Sequence, residues 1–206
     1  VLLDHCIKQL QAQTYPVDHH VFLNGPDDEL ESLRALASHL IAENPHPRPP
    51  VIRFGPTGRL HDLYVSALRS VDLDAYDLFL WVDDDDYYRR RYVENCVADF
   101  ELNRWDFSGA HSHGAIIDGQ WLGDLIWDGL GRNDRDLALG IPDMMPPTYA
   151  FSRRAIDVTM ALSDDGVSWV DAQWRWALYE DPTIRTAVRD QTDFSYHRHG
   201  ANASLP

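Results

Sequence analysis

Through its first half this chain repeats one alternation: a short apolar run, then a segment whose apolar side chains recur at helical spacing. The runs are HHVFLN, VIRF and LFLWV. Between them, Leu30, Leu33, Leu36, Leu40 and Ile41 share one helical face, and Leu60, Leu63, Tyr64, Ala67, Leu68 and Val71 share another. An opening helix carries Leu3, Ile7 and Leu10 and ends at QTYP. GPDD stops the first strand and GPTG turns the chain out of the second. ENPHPRPP reads as a loop, because prolines this dense propagate neither hydrogen-bond ladder. Strands and helices in alternation build a mainly parallel sheet with helices on both faces, so an α/β fold is predicted. In such sheets ligands settle beyond the carboxyl ends of the strands.

At that end of LFLWV stand four consecutive carboxylates, Asp83 to Asp86. Like charges about 4 Å apart repel by roughly 1 kcal/mol per pair in water, and more in a drier cleft. Either the turn is solvated and caps the helix predicted over about 90–102, or the carboxylates are hard-oxygen ligands for a divalent cation. Composition bears on the choice. Eighteen basic against 33 acidic side chains leave a formal charge of −15, which repels nucleic-acid backbones and anionic lipid. An anionic ligand then needs a cation or a local basic group to invert the field.

The second half is less regular, with strand-like pieces at WDFSGAH and GAIIDG and a late strand at TDFSYHRHG. A helix is predicted from near Val170, with Trp174, Ala177 and Leu178 on one face. No linker divides the 206 residues, and 44% hydrophobic content with seven tryptophans supports one packed core. Cys6 and Cys96 make neither a disulfide framework nor a thiolate zinc site, which suits a reducing compartment. No stretch approaches the roughly 18 apolar residues of a membrane span and no signal peptide is visible, so a cytoplasmic location is expected. The chain opens on VLLDHCIKQLQAQ, which reads as mid-helix and predicts a further segment upstream.

Other groups admit two readings each. His197 and His199 share a strand face in SYHRHG and are metal ligands or idle surface histidines. Asp171 in SWVDAQWRWAL is a helix cap, or a carboxylate tuned by aromatic walls into a general base. His111 and His113 in AHSHG read as strand-end histidines more readily than as a metal pair. Arg59 in GPTGRL sits at a strand–helix mouth, where it meets a phosphate or base or is simply solvated.

In order, these stretches resemble the family 2 glycosyltransferases of the GT-A fold. QAQTYP is similar to that family's opening helix and Q-x-Y-P turn, HHVFLNGPDD to its next strand and acidic turn, and GRLHDLY to the segment before its metal strand. LWVDDDD matches the D-x-D strand, TYAFSRRAI an acceptor-side segment, VD the catalytic pair, and HRHGANAS the closing motif. The resemblance implies a single domain over 1–206, with a nucleotide and metal half over about 1–104 and an acceptor and catalytic half over about 105–206. It implies Mn²⁺ or Mg²⁺ on Asp83, Asp85, Asp86 and His199, with Asp84 beside them, and Asn24 and Arg59 at the nucleotide. Asp171 falls on the catalytic base of an inverting transfer from a UDP- or GDP-type sugar donor to a saccharide or other hydroxyl acceptor.

Four departures stand out. The family's first strand is missing ahead of the opening helix, Asn24 replaces an Asp, Val170 a Glu, and Tyr64 an Asn. Trp121, Trp127, Trp169, Trp174 and Trp176 are candidates for an acceptor platform, with core packing the alternative. Two rival readings are a dinuclear metallohydrolase using the aspartates with His111, His113, His197 and His199, and a non-catalytic, cation-dependent carbohydrate module.

Overall fold

A computed structural model describes residues 2–43, 45–56, 58–117, 120–126, 134–163, 166, 169–190 and 193–198. In chain order the elements are α1 (Leu2–Gln11), β1 (His20–Gly25), α2 (Asp27–Glu43), β2 (Val51–Pro56), α3 (Leu60–Arg69), β3 (Leu78–Leu80), β4 (Tyr87–Tyr88) and α4 (Tyr92–Asn103). They are followed by β5 (Phe107–Ala110), β6 (Ser112–Ile117), β7 (Gln120–Ile126), α5 (Asp134–Ala138), β8 (Ala150–Ser152), α6 (Arg153–Met160), α7 (Val170–Glu180), β9 (Thr186–Arg189) and β10 (Phe194–Arg198). The predicted α/β class and its alternation hold across the first half. Among the described residues no helix is long and apolar enough to cross a membrane.

Strand pairing divides into three sheets. β1 and β2 run parallel, from His20 opposite Val51 to Gly25 opposite Pro56. A second sheet has the order β3-β8-β5-β9, with β8 antiparallel to both neighbours and β5 parallel to β9. The third has the order β4-β10-β6-β7, where β10 is parallel to β6 and antiparallel to β4, and a bulge interrupts the β6–β7 hairpin at Ala115/Ile116. In the two four-stranded sheets the parallel pair is extended by antiparallel strands, whereas β1 and β2 stand as a purely parallel pair.

The main core forms where β5, β8, α6 and α7 meet. Phe107, Phe151, Ile156, Trp174 and Leu178 lie within it, each almost wholly buried. α6 starts cleanly because the Ser152 hydroxyl accepts the Ala155 N–H at 3.2 Å, one of the orphan donors of a first helical turn. A second cluster of Tyr88, Tyr92, Val93, Cys96, Met145 and Phe194 ties α4 to β4 and β10.

Among the described residues β1 pairs only with β2, and β3 only with β8. A cavity of about 240 Å³ lies between them, walled by Val21, Phe22 and Leu23 of β1, Leu3 and Cys6 of α1, Tyr64 of α3, and Trp81 to Asp84. The run LFLWV, expected to be buried, is therefore half-buried along its length.

Gly109 on β5 lies closely against the core side chains: a Cβ there would stand 2.9 Å from Met144 Cβ and 3.1 Å from Tyr149 Cδ1. Met144 Cβ is fixed to its own backbone and cannot swing aside. Gly109→Ala is expected to destabilise the fold by about 1–3 kcal/mol through overpacking, read as a lower denaturation midpoint at unchanged slope.

Candidate active site

The acidic turn begins where β3 runs out. Trp81 N–H still donates to Tyr149 O at 2.9 Å, after which the chain leaves the sheet. Two residues on, the Asp83 N–H donates to the Tyr88 hydroxyl at 3.0 Å, and that hydroxyl donates to Pro147 O at 3.0 Å. From α1, Gln9 Nε2 donates to Asp86 O at 2.8 Å while Gln9 Oε1 accepts the Tyr88 N–H at 3.0 Å. Two residues past α1, Gln13 repeats the arrangement, donating to Arg89 O and accepting the Val93 N–H. Gln13 opens the QTYP turn that the sequence singled out, but neither that turn nor any local pattern pointed to Gln9 or Tyr88 as holding the acidic turn.

Held this way, Asp83, Asp85 and Asp86 each bring one carboxylate oxygen within 4.8 Å of the other two, while Asp84, the exposed one of the four, lines the cavity. Among the described residues this is the one cluster of metal-ligating groups. Three hard oxygens at that separation suit a single divalent cation, whose opposite ligands lie about 4–5 Å apart at metal–oxygen distances of about 2.0–2.6 Å. Asp86 has no exposed surface and Asp83 is half-buried. Burial pushes the Asp83 carboxyl up to about 7; the Trp81 indole N–H, donating to its Oδ1 at 3.0 Å, opposes this, and Asp85, Asp84 and Asp171 reinforce it.

Asp171 stands half-buried in the first turn of α7, one residue inside a helix whose N-cap, Trp169, makes no side-chain cap bond. An acid in the first turn still meets the positive end of the helix dipole, and the nearby amides of Asp171 and Ala172 favour its carboxylate form. Burial raises its proton affinity, against the lowering effect of Arg175 and those backbone donors. Tyr64 connects the two acids: its hydroxyl is raised by burial and by the charges of both Asp83 and Asp171. Its ring packs on Trp81 at 4.0 Å and on Trp174 at 5.6 Å between centroids, so one aromatic wall backs both carboxylates.

The remaining sequence candidates are more scattered. Asn24 is an exposed residue of β1 whose Oδ1 lies 3.0 Å from where a Gly55 Cβ would be. Arg59 is exposed at the N-cap of α3, with its Nη1 beside Gly166. His111 is half-buried after β5. His199 and Trp127, and the side chains of His113 and His197, lie outside the described residues. Trp174 and Trp176 are buried in the core, whereas Trp121 and Trp169 are exposed, Trp169 by 67% and two residues before Asp171.

No family model and no curated protein matches this sequence. Solved structures do. TarS of S. aureus superposes with a TM-score of 0.58 at 11% identity, over 96% of this chain and 34% of that one. A form of it titled TarS 1-349 gives 0.57 at 13%, over 95% of this chain and 56% of that one. The 4-diphosphocytidyl-2C-methyl-D-erythritol synthase of Anaerococcus prevotii gives 0.53 at 12%, over 93% and 78%. At these identities the likeness is one of fold: a mixed α/β architecture with helices flanking parallel and mixed sheets. This chain spans about a third of the first TarS chain and just over half of the second.

The raised proton affinity of Asp83 gives any cation bound at this cluster a pH dependence to test. A cation that takes it as a ligand must displace a proton below pH about 7. Titration with Mn²⁺ is expected to show affinity rising about tenfold per pH unit below that point and levelling above it. Without cation the sign for stability is opposite: the native state keeps this proton longer than the unfolded chain, so stability falls as pH rises from the ordinary carboxyl range through about 7. A cation affinity unchanged across this range would remove Asp83 from the ligand set.

Proposed function

We propose that this chain is the donor-binding domain of a metal-dependent glycosyltransferase that moves a sugar from a nucleotide-diphosphate donor to an acceptor hydroxyl. The observation that carries the reading is the meeting of two kinds of carboxylate at one place. Asp83, Asp85 and Asp86 form a cation-sized group beyond β3, and Asp171, at the start of α7, is electrostatically coupled to Asp83 and to the tyrosine between them. The fold neighbours support it, TarS being a glycosyltransferase and the synthase a nucleotidyltransferase, both transferases.

In this reading the three aspartates, with His199, hold Mn²⁺ or Mg²⁺. Bound there, the cation supplies positive charge to the departing diphosphate. The chain's own groups do the rest. Arg59 and Asn24, at the mouths of α3 and β1, contact the nucleotide, and Asp84 lines the entrance beside the cavity. Asp171 accepts the acceptor hydroxyl's proton as that oxygen forms its bond to the anomeric carbon. The bond from that carbon to the diphosphate breaks in the same event, its electron pair leaving with phosphate, and attack from the opposite face inverts the centre. A raised proton affinity suits Asp171 to this task, since a base works best when its pKa approaches the working pH.

Calorimetric titration of UDP and of GDP, each with Mn²⁺ and again with excess EDTA, tests the donor side. One nucleotide is expected to bind only with the cation, and Asp85→Ala to abolish that binding. Asp171→Asn is expected to keep nucleotide binding and to lose about 10²- to 10⁴-fold in turnover. Wild-type turnover in that variant would remove Asp171 from the role of base, and cation-independent binding of both nucleotides would sink the metal-dependent reading.

A further inference from the structure

Across the β4-β10-β6-β7 sheet, one row of residues faces away from the core of Tyr88 and Phe194. Ser195 of β10 stands opposite Tyr87 of β4 on one side and opposite Gly114 of β6 on the other. Directly opposed residues share a face, and alternation sends the paired Tyr88 and Phe194 to the core side. Trp121 of β7 joins the outer row. A Cβ on Gly114 would stand 2.2 Å from its Cη2, 2.5 Å from its Cζ3 and 2.5 Å from Ser195 Oγ. The six-membered ring of the indole therefore lies across β6 beside a buried Ser195, and only glycine leaves room for it there. Half of the Trp121 side chain nevertheless stays open, at 50% exposure. At the other end of the row Tyr87 is 47% exposed, with the His5 ring of α1 beside it at 4.6 Å between centroids.

Two half-open aromatic rings thus end a floor made of Gly114 and Ser195, which is a shallow trough. Sheet geometry sets its length, because β4 and β6 are two strand spacings apart, roughly 10 Å. A whole aromatic side chain buries about 150–250 Å², so each half-open ring offers on the order of 100 Å². The pair falls far short of the roughly 800 Å² that each partner gives to a stable protein interface. An apolar small molecule is held in a concave pocket rather than on an open face. The formal charge of −15 disfavours an anion. The ligand that fits is neutral, flat and about two rings long, apolar on one face and hydroxylated around its rim. We propose that the row from Tyr87 to Trp121 is a saccharide-binding platform, on which two linked pyranose rings lay their C–H faces against the aromatic side chains while their hydroxyls stay in water. Tyr87 directly follows Asp86, so the platform adjoins the acidic turn. That the saccharide is the acceptor rests on the transferase reading; the binding itself does not.

The test titrates cellobiose, maltose and N,N′-diacetylchitobiose into the chain, with neither nucleotide nor cation, and follows the indole ¹H–¹⁵N signal of Trp121, assigned by its loss in Trp121→Ala. At least one disaccharide is expected to shift that signal with an affinity in the millimolar range. Calorimetry is expected to show that binding weakened about tenfold or more in Trp121→Ala and in Tyr87→Ala. Trp121→Phe, which keeps a ring over Gly114, is expected to retain most of it, and it stands in for Trp121→Ala should that variant not fold. A Trp121 signal unmoved by all three disaccharides, or binding at wild-type strength in folded Trp121→Ala, overturns the proposal. The two readings fail separately. Disaccharide binding without any nucleotide binding would count against the transferase alone, and cation-dependent nucleotide binding without disaccharide binding would count against the platform alone.

Discussion

Four adjacent carboxylates repel one another, and the turn that carries them keeps its shape because its backbone is bonded from outside. Gln9 holds the carbonyl of Asp86 and the amide of Tyr88, and the buried Tyr88 hydroxyl holds the amide of Asp83 while donating to Pro147. Each bond uses a neutral partner, so none of them neutralises the acids. The backbone of the turn is thus fixed independently of the charges it carries, and Asp83, Asp85 and Asp86 stay gathered, each with a carboxylate oxygen within 4.8 Å of the other two.

The same constraint organises the surroundings. Pro147, which takes the Tyr88 hydroxyl, lies in the turn that leads into β8, and the neighbouring Tyr149 carbonyl takes the last sheet-type bond of the strand ahead of the acids. β8 in turn feeds α6, and α6 packs with α7, whose first turn carries Asp171. The two halves of the chain meet at this seam, and the aromatic wall of Tyr64, Trp81 and Trp174 fills it with side chains from α3, the end of β3 and α7. Apolar rings exclude water from both Asp83 and Asp171, which raises their proton affinities for one shared reason. Single partners then set them apart, an indole N–H for Asp83 and a guanidinium for Asp171.

How much of this could be read beforehand differs by element. The Leu30 to Ile41 and Leu60 to Leu68 stripes predicted α2 and α3 because a helix packed on a sheet must bury one face at a period near 3.6 residues. α7 was likewise predicted to start near Val170, where it does. α6 was missed: RRAIDVTM is short and carries three β-branched residues, and its Ser152 cap is a signal that many loops also carry. β7 was missed because QWLGDLI pairs within a bulged hairpin, where Gly and Asp are tolerated and strict alternation is lost. The half-burial of LFLWV was not legible either, since its apolar composition reports what a strand can bury and its pairing decides what it does bury.

The sequence by itself determined the class of fold and the place of the acids. Periodicity and turn residues are local, and an apolar run followed by four aspartates puts charge at a strand end whatever surrounds it. Its excess of acidic side chains also set the expectation that the surface repels nucleic-acid backbones and anionic lipid. Only the tertiary structure decided which carboxylates gather, that Asp84 is left out of that group, that Gln9 and Tyr88 hold the turn, and that Asp136 and Arg175 stand buried together. Those are contacts between residues up to 79 positions apart, and no local pattern encodes a partner at that distance. Charge state is decided at the same level, because the burial and neighbours that move a carboxyl's proton affinity exist only once distant segments have packed.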